Sequence, residues 1–240
     1  MKRSEVVKFL VMRSIGNFLV LFALYGVAAT FGPALYYEFY YRIVQARGIH
    51  YTIAEPTTTP LGEISKKAAT NKPVQAVGPG DLGAVLAGNK EQILIPKDTD
   101  FSILIPKIGA SAKIFPNVDP SNEAEFLPVL SKGVAHAKGT VFPGLSGNIY
   151  LFAHSTDNFW NVGRYNALFY LLKDLQKGDD VVVFFENLRH NYVVSDSIIV
   201  DPSDVSYLIK SREDKEQLVL QTCWPPGTTW KRLLVLAKPK

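Results

Sequence analysis

The spacing of hydrophobic residues divides the chain into two parts. The first part holds one long apolar stretch, because no charged residue lies between Arg13 and Glu38 and residues 18–37 are mostly apolar. An α-helix rises about 1.5 Å per residue, so these residues cover the roughly 30 Å hydrocarbon core of a bilayer. The pattern predicts one membrane-spanning helix.

The charges around this stretch predict its orientation. Four basic residues precede it: Lys2, Arg3, Lys8 and Arg13. Such a bias favours the cytoplasmic side, so we expect residues 1–14 in the cytoplasm and residues 15–37 as a single-pass signal anchor in the cell membrane. The alternative is a signal peptide cleaved near Ala28, but the apolar stretch is longer than a signal core of roughly 7–15 residues.

Residues 38–97 have the composition of an extracellular stalk or linker. After a short charged and aromatic stretch they contain Thr-Thr-Thr-Pro and Gly-Pro-Gly sequences with weak periodicity. This composition is typical of an extended segment. Residues 81–87 could form a short helix, although Gly83 disfavours it. Whether the segment covers a site in the following domain stays open.

The second part, residues 98–240, has the pattern of a mainly β domain. Short apolar runs rich in Val, Ile, Phe and Tyr alternate with Gly, Pro, Asn and Asp, and they predict strands at residues 101–105, 112–118, 147–153, 180–186, 191–200, 217–222 and 232–237. Residues 123–130 and 166–175 fit short helices better. Seven or eight strands with short helices predict a closed β-barrel.

Composition narrows the classes of function. Hydrophobic residues make up 47% of the 240, which is enough for a sizeable core. The net charge is only +4, and much of the basic excess lies near the N-terminus. A nucleic-acid partner would need a basic face on the folded domain, so we expect none.

The single cysteine, Cys223, is the first candidate for chemistry. A lone cysteine in an outward-facing protein is a buried bystander, an intermolecular bridge or a reactive thiol. A Trp-Pro-Pro-Gly turn follows it, and Arg232 opens the next apolar run. Two antiparallel strands joined by this turn would aim both side chains at one bound carbonyl. Alternatively, Arg232 could lie at the strand end with its charged group in solvent and have no role in the chemistry.

Four histidines are available as a base. His154 ends an apolar run and precedes a polar loop, which is well placed for a site at the barrel mouth. His136 could be structural or lie near a site. His50 lies beside the membrane, and His190 fits a solvated hairpin tip.

These residues together resemble the sortase family, the membrane-anchored cysteine transpeptidases of bacterial surfaces. The resemblance rests on Leu-Gln-Thr-Cys at residues 220–223 with Arg232, and on Asn148 and Ala-His at 153–154. Residues 105–109, 133–144 and 172–179 agree with it, so it covers about residues 100–240.

Departures from the family pattern leave the subclass open. Val219 stands where a Thr is usual, and Ser155 follows the histidine. The short spacing from Cys223 to Arg232 resembles the pilin-polymerising subclasses. The sequence has no Asp-Pro-aromatic lid motif before Phe101, and Asp119-Pro120 fits a helix-entry turn.

The resemblance implies a role for each catalytic candidate. Cys223 would attack a sorting signal similar to Leu-Pro-x-Thr-Gly and form a thioester, His154 would act as general acid and then base, and Arg232 would hydrogen-bond the substrate backbone or the oxyanion. Weaker candidates for substrate contact, which could equally be packing residues, are Thr222, Trp224, Trp230 and His136. We see no compact acidic cluster, so we predict no required metal and no cofactor.

The resemblance also implies partners. The donors would be surface proteins with sorting signals, and the acceptor would be an amine of a peptidoglycan precursor or of a pilin. The N-terminal helix would contact membrane lipid.

Three other hypotheses remain open. The chain could be a thiol hydrolase in which water replaces the amine, a non-catalytic membrane-tethered binding module on the same barrel, or an adhesin whose cysteine bridges two molecules.

Overall fold

The N-terminal part of the chain is one long helix. A computed structural model describes residues 3–53, 91–155, 169–209 and 215–240, and helix α1 runs from Arg3–Ala46. The most apolar 18-residue window of its segment Arg3–Ala28 has a mean hydropathy of 1.8 and is not buried against the rest of the protein. By length and composition, this segment can cross a membrane.

The other residues that the structure describes are mainly in strands. They are β1 (His50–Ile53), β2 (Glu91–Leu94), β3 (Phe101–Ile105), β4 (Ala110–Val118), β5 (Val134–Ala137), β6 (Gly147–Phe152), β7 (Asp180–Phe185), β8 (Leu188–Val200), β9 (Glu216–Trp224) and β10 (Lys231–Pro239). The helices are α2 (Glu123–Leu130) and α3 (Ser206–Ile209), with 3-10 turns at Pro106–Ile108 and Tyr170–Asp174.

Eight of these strands, β3 to β10, close into a barrel. Their order around it is β10-β8-β7-β3-β4-β5-β6-β9, and β9 pairs with β10 to complete the ring. This confirms the predicted barrel of seven or eight strands. Two pairs, β4 with β5 and β6 with β9, are parallel. The parallel pairing of β6 and β9 brings their C-terminal ends to the same end of the barrel.

Each barrel strand has an inner and an outer face, since successive side chains of a strand point to opposite sides. The inner faces of β6, β9 and β10 contribute to the main buried cluster with Ile149, Leu151, Leu218, Leu220, Leu233 and Val235. Their outer faces form a second cluster that α2 and α3 cover, with Tyr150, Phe152, Val219, Leu234 and Leu236.

Both ends of the segment predicted as an extended stalk are folded onto the barrel. β1 and β2 form a parallel two-stranded sheet, and the buried Leu94 of β2 packs with Leu104 and Val182 of the barrel. The ring of Tyr51 lies so close to Gly109 that a Cβ built there would be 2.9 Å from it. Regular structure replaces an extended chain here because β1 and β2 bury apolar side chains against the barrel. The possible helix at residues 81–87 lies outside the described residues.

The end of α1 also contacts the barrel domain. Tyr40 and Val44 of α1 are buried together with Ile49. The ammonium of Lys173, in the second 3-10 turn, lies 2.8 Å from the carboxylate of Glu38. The helix is therefore docked where the predicted stalk was expected to begin.

Two further predictions can be compared with the structure. The predicted helix at residues 123–130 coincides with α2, whereas the described part of the helix predicted at 166–175 is a 3-10 turn. The prediction for His190 is wrong, because the hairpin turn is formed by Glu186 and Asn187, with φ of 49° and 64°. Two positive φ angles are typical of a tight type I′ turn. His190 lies inside β8 and is half-buried.

Candidate active site

The candidate site begins with a cross-strand pair. Cys223 of β9 lies directly opposite Arg232 of β10 in the antiparallel register. Side chains of residues directly opposite each other lie on the same face of a sheet, about 4.5–5.5 Å apart at Cβ. The turn between β9 and β10 thus brings the thiol and the guanidinium together, as the sequence predicted.

His154 reaches the same place from β6. In the parallel register Phe152 lies opposite Gln221, and the Ala153 N–H donates to the Gln221 carbonyl at 3.2 Å. Two residues further along each chain, His154 comes level with Cys223. Phe152 is on the outer face, so the alternation places His154 and Cys223 there as well. Both residues are half-buried.

A buried hydroxyl fixes this arrangement from behind. Thr222 is almost fully buried, and its Oγ1 donates to the carbonyl of Ala153 at 3.1 Å. The residue before the cysteine is therefore bonded to the residue before the histidine. Thr222 is therefore bonded to the backbone beneath the site. Contact between Thr222 and a substrate stays a prediction.

The environment of the thiol favours its protonated form. Burial raises the pKa of the Cys223 thiol, and the positive charge of Arg232 lowers it to a smaller extent. The thiol form therefore predominates at neutral pH in the free protein, although only the thiolate is a strong nucleophile.

The guanidinium of Arg232 is hydrogen-bonded at the strand end through one of its nitrogens. Nη1 of Arg232 donates to the carbonyls of Thr229 and Lys231, each at 3.1 Å. A guanidinium has five N–H donors in a planar fork. The site thus combines a thiol, an imidazole and a multiple hydrogen-bond donor, which are the groups that acyl transfer through a thioester requires.

Comparison with known proteins identifies the family of this domain. The family model of the Sortase domain matches residues 103–240, more than half of the chain. The chain belongs to the sortase family.

The chain is also similar to individual sortases. The chain is 30% identical to Sortase D of Bacillus subtilis (strain 168) over 176 residues, which cover 72% of this chain and 79% of that protein. It is similar in structure to sortase C-1 from Actinomyces oris, with a TM-score of 0.50 and 27% identity over 60% of this chain and 76% of that one. For sortase C1 of GBS Pilus Island 1 the TM-score is 0.50 and the identity 25%, over 58% and 63% of the two chains. The family and fold predicted from the sequence are confirmed.

The weaker candidates lie in different places on this sortase fold. Trp224 is half-buried and packs against the inner cluster. Trp230 precedes β10 and is 73% exposed. Trp230 is thus available to a bound molecule near the site, whereas Trp224 contributes mainly to packing.

His136 lies inside the barrel, away from the face that carries Cys223. Its ring is fully buried, stacks on Phe142 with centroids 4.5 Å apart, and has Nε2 3.0 Å from the carbonyl of Val141. Burial lowers the pKa of His136. His136 is therefore a core residue of this sortase, and a different histidine, His154, lies level with Cys223.

Sequence reasoning missed one polar pair on the outer face. The hydroxyl of Tyr150 donates to Oε1 of Gln221 at 3.1 Å. Burial raises the pKa of Tyr150, and the nearby Arg232 lowers it to a smaller extent, which places this hydroxyl within the field of the guanidinium. The strand period places Tyr150 and Gln221 on the face that carries Cys223, but their contact depends on the register of β6 and β9.

No metal centre accompanies these groups in the ranges that the structure describes. Within them, no three His, Cys, Asp or Glu side chains converge so that they could hold a metal ion.

Proposed function

We propose that this chain is a cysteine transpeptidase that cleaves a C-terminal sorting signal similar to Leu-Pro-x-Thr-Gly and transfers the surface protein to an amine of the cell wall. The observation that supports this most is the pairing of Cys223 with Arg232, with His154 level with them on the same face. Membership of the sortase family supports the reaction class.

The first half-reaction forms an acyl-enzyme. The Cys223 thiol gives its proton to His154, and the thiolate attacks the carbonyl carbon of the Thr–Gly bond. The C–S bond forms, and the C–N bond then breaks. His154 protonates the departing amine, and Arg232 donates hydrogen bonds to the substrate backbone or the oxyanion. Both the thiolate and the oxyanion gain from a fixed cation in a partly dry site.

The second half-reaction transfers the acyl group. The thioester keeps the energy of the cleaved peptide bond, so an incoming amine attacks it, and His154 accepts the proton that the amine loses. A new amide bond forms and the Cys223 thiol leaves. An amino group of a peptidoglycan precursor is the acceptor for attachment to the wall.

The N-terminal helix gives this reaction its location. The apolar segment Arg3–Ala28 can cross a membrane by length and composition. With the basic N-terminus in the cytoplasm, the barrel lies outside the cell, where sorting signals and wall precursors meet it.

A pilin-polymerising activity is the second candidate. It is supported by the similarity to sortase C-1 from Actinomyces oris and to sortase C1 of GBS Pilus Island 1, and by the short spacing of Cys223 and Arg232. The acceptor would then be a lysine amine of a pilin, and the first half-reaction would be unchanged.

The test is a product analysis with the full chain in detergent. The full chain is required because β1, β2 and the end of α1 pack on the barrel. A chain that began at residue 98 would lack Leu94 and would expose the barrel side chains that pack against it, Leu104 and Val182. The chain is incubated with a panel of sorting peptides and with wall-type or pilin-type amines, and mass spectrometry identifies the products. We expect an acyl adduct on Cys223 and an amide product that depends on the added amine.

The other outcomes separate the rival functions. Hydrolysis alone in the presence of every amine would support a thiol hydrolase. Absence of any adduct, together with an unlabelled Cys223 after a thiol reagent, would support a non-catalytic binding module. A dimer that is lost on reduction would support an adhesin with an intermolecular disulfide.

A further inference from the structure

Beside the thiol, the outer face of β9 carries the amide of Gln221. Gln221 lies two residues before Cys223 on β9, so both side chains are on the same face. In the strand register its neighbours are Phe152 of β6 and Leu234 of β10, and both are buried. A half-buried amide between two apolar side chains is costly to keep unless its polar atoms are bonded.

Only one end of this amide is bonded within the protein. Its Oε1 accepts the hydrogen bond from the hydroxyl of Tyr150, whose side chain is almost fully buried. A glutamine amide also carries two N–H donors on Nε2. Among the residues that the structure describes, none accepts a hydrogen bond from Nε2 of Gln221.

Tyr150 sets the direction of the amide. Because burial raises the pKa of Tyr150, its hydroxyl stays protonated and acts as the donor. Oε1 is therefore turned toward Tyr150, and Nε2 is turned away from it.

Spacing identifies what Nε2 can bind. Same-face residues of a strand repeat about every 6.6–7 Å, which is also the two-residue repeat of an extended peptide. A peptide that runs parallel to β9 with its scissile carbonyl at Cys223 therefore has the carbonyl two residues earlier near Gln221. In Leu-Pro-x-Thr-Gly that carbonyl belongs to the proline. Proline has no N–H, so its carbonyl is its only backbone group to pair.

We propose that Gln221 is a substrate-positioning residue whose Nε2 donates to the proline carbonyl of the bound sorting signal, and that Tyr150 holds Gln221 in the orientation required. This inference rests on the proposed function and adds a residue to it. Because every peptide has a backbone carbonyl at this distance, Gln221 fixes the register of the bound peptide relative to Cys223.

The decisive experiment changes the acceptor and the donor together. The full chain in detergent processes a sorting peptide and its analogue with a thioamide at the proline carbonyl, since sulfur is a weak acceptor. In the wild type the thioamide lowers kcat/KM about tenfold, the effect of one lost hydrogen bond. In Gln221→Leu, kcat/KM for the ordinary peptide is already lower by about tenfold, and the thioamide causes no further loss.

Gln217→Leu is the matched control. It is the same substitution on the same face of β9, six residues from Cys223 and thus about 20 Å away along the strand. It keeps the wild-type kcat/KM and the full thioamide effect. Tyr150→Phe removes the bond that orients the amide, so it lowers kcat/KM and reduces the thioamide effect.

The outcomes distinguish this inference from the proposed function. An equal thioamide effect in wild type and Gln221→Leu would overturn the role of Gln221 while leaving the transpeptidase intact. If the wild type processes no sorting peptide, the proposed function itself fails. Thermal unfolding checks each variant, and Gln221→Met replaces Gln221→Leu if the latter does not fold.

Discussion

The inner and outer faces of β6, β9 and β10 are made by the same three strands but differ in chemistry. On the inner face the side chains are aliphatic, and Leu151 and Leu220 are fully buried. The outer face of the same strands carries polar or reactive side chains. They are Tyr150, Gln221, Cys223 and Arg232, together with His154, which lies two residues after the end of β6. One residue along the strand therefore separates an inner face that only stabilises the fold from an outer face that carries polar side chains beside buried apolar ones such as Phe152 and Leu234.

Substitution at the reactive end of the outer face should have the largest effect. Cys223→Ala and His154→Ala should each lower peptide cleavage by roughly a thousandfold or more, because residues that act as a unit fail together. Thermal unfolding should stay close to wild type, since both side chains are half-buried at the end of the barrel. Mass spectrometry of the peptide reports cleavage. Substantial cleavage by either variant would contradict the assignment of both roles.

Substitution on the inner face should show the opposite result. Leu220→Ala leaves a cavity in the core and should lower the free energy of unfolding by about 2–5 kcal/mol. Cleavage per folded molecule should change little, because Leu220 points away from Cys223. Denaturant unfolding measures the loss, and Leu220→Met, which keeps the volume, is the control and should cost less than about 1.5 kcal/mol. A large loss of cleavage in folded Leu220→Ala would show that the two faces are not independent.

A conservative change at Arg232 should lower activity by a smaller factor. Arg232→Lys keeps the charge but loses the planar fork, so we expect a loss of roughly a hundredfold in kcat/KM. Steady-state kinetics with a sorting peptide gives this value. Lys231→Arg, at the neighbouring exposed position, should be close to wild type and controls for surface changes. Wild-type activity in Arg232→Lys would indicate that only charge matters.

The mildest expected effect is a change in pH dependence. Burial raises the pKa of Cys223, so its alkylation by iodoacetamide should have a midpoint at higher pH than that of a free cysteine peptide. Arg232 lowers the pKa of this thiol, so Arg232→Ala should move the midpoint further upward. Alkylation rates measured across a pH series test both statements. A midpoint that moves downward in Arg232→Ala would show that the guanidinium does not stabilise the thiolate.

The barrel could be predicted from sequence because most of its strands show their own pattern. β3 matches its predicted bounds, and β6 and β7 differ by one residue. β5 was missed because the four residues Val-Ala-His-Ala form a strand only through pairing with β4 and β6. β1 and β2 were missed because their pairing is between distant parts of the chain, and neither run is long enough to show a period.

The candidate site residues could be predicted because the ends of apolar runs in the sequence indicate the ends of strands. Cys223, His154 and Arg232 were chosen as candidates because each ends or begins an apolar run. The face that a residue occupies was not predictable, since it depends on register between strands. His136 and His154 both lie beside apolar residues, yet His136 points into the barrel. The bond from Tyr150 to Gln221 joins residues 71 apart, and no local pattern indicates it.

The docking of α1 on the barrel has a consequence for where the reaction takes place. Glu38 and the buried Tyr40 follow directly after the predicted membrane span, and they already contact the barrel domain or the sheet beside it. With that span in a bilayer, the domain is mounted at a fixed height and angle at the lipid surface and does not swing on a flexible tether. Each residue inserted into α1 above the span would rotate the barrel face that carries Cys223 by about 100° around the helix axis while raising it by only about 1.5 Å. Helix length would therefore control which direction this face points, and with it the side from which a surface protein must approach.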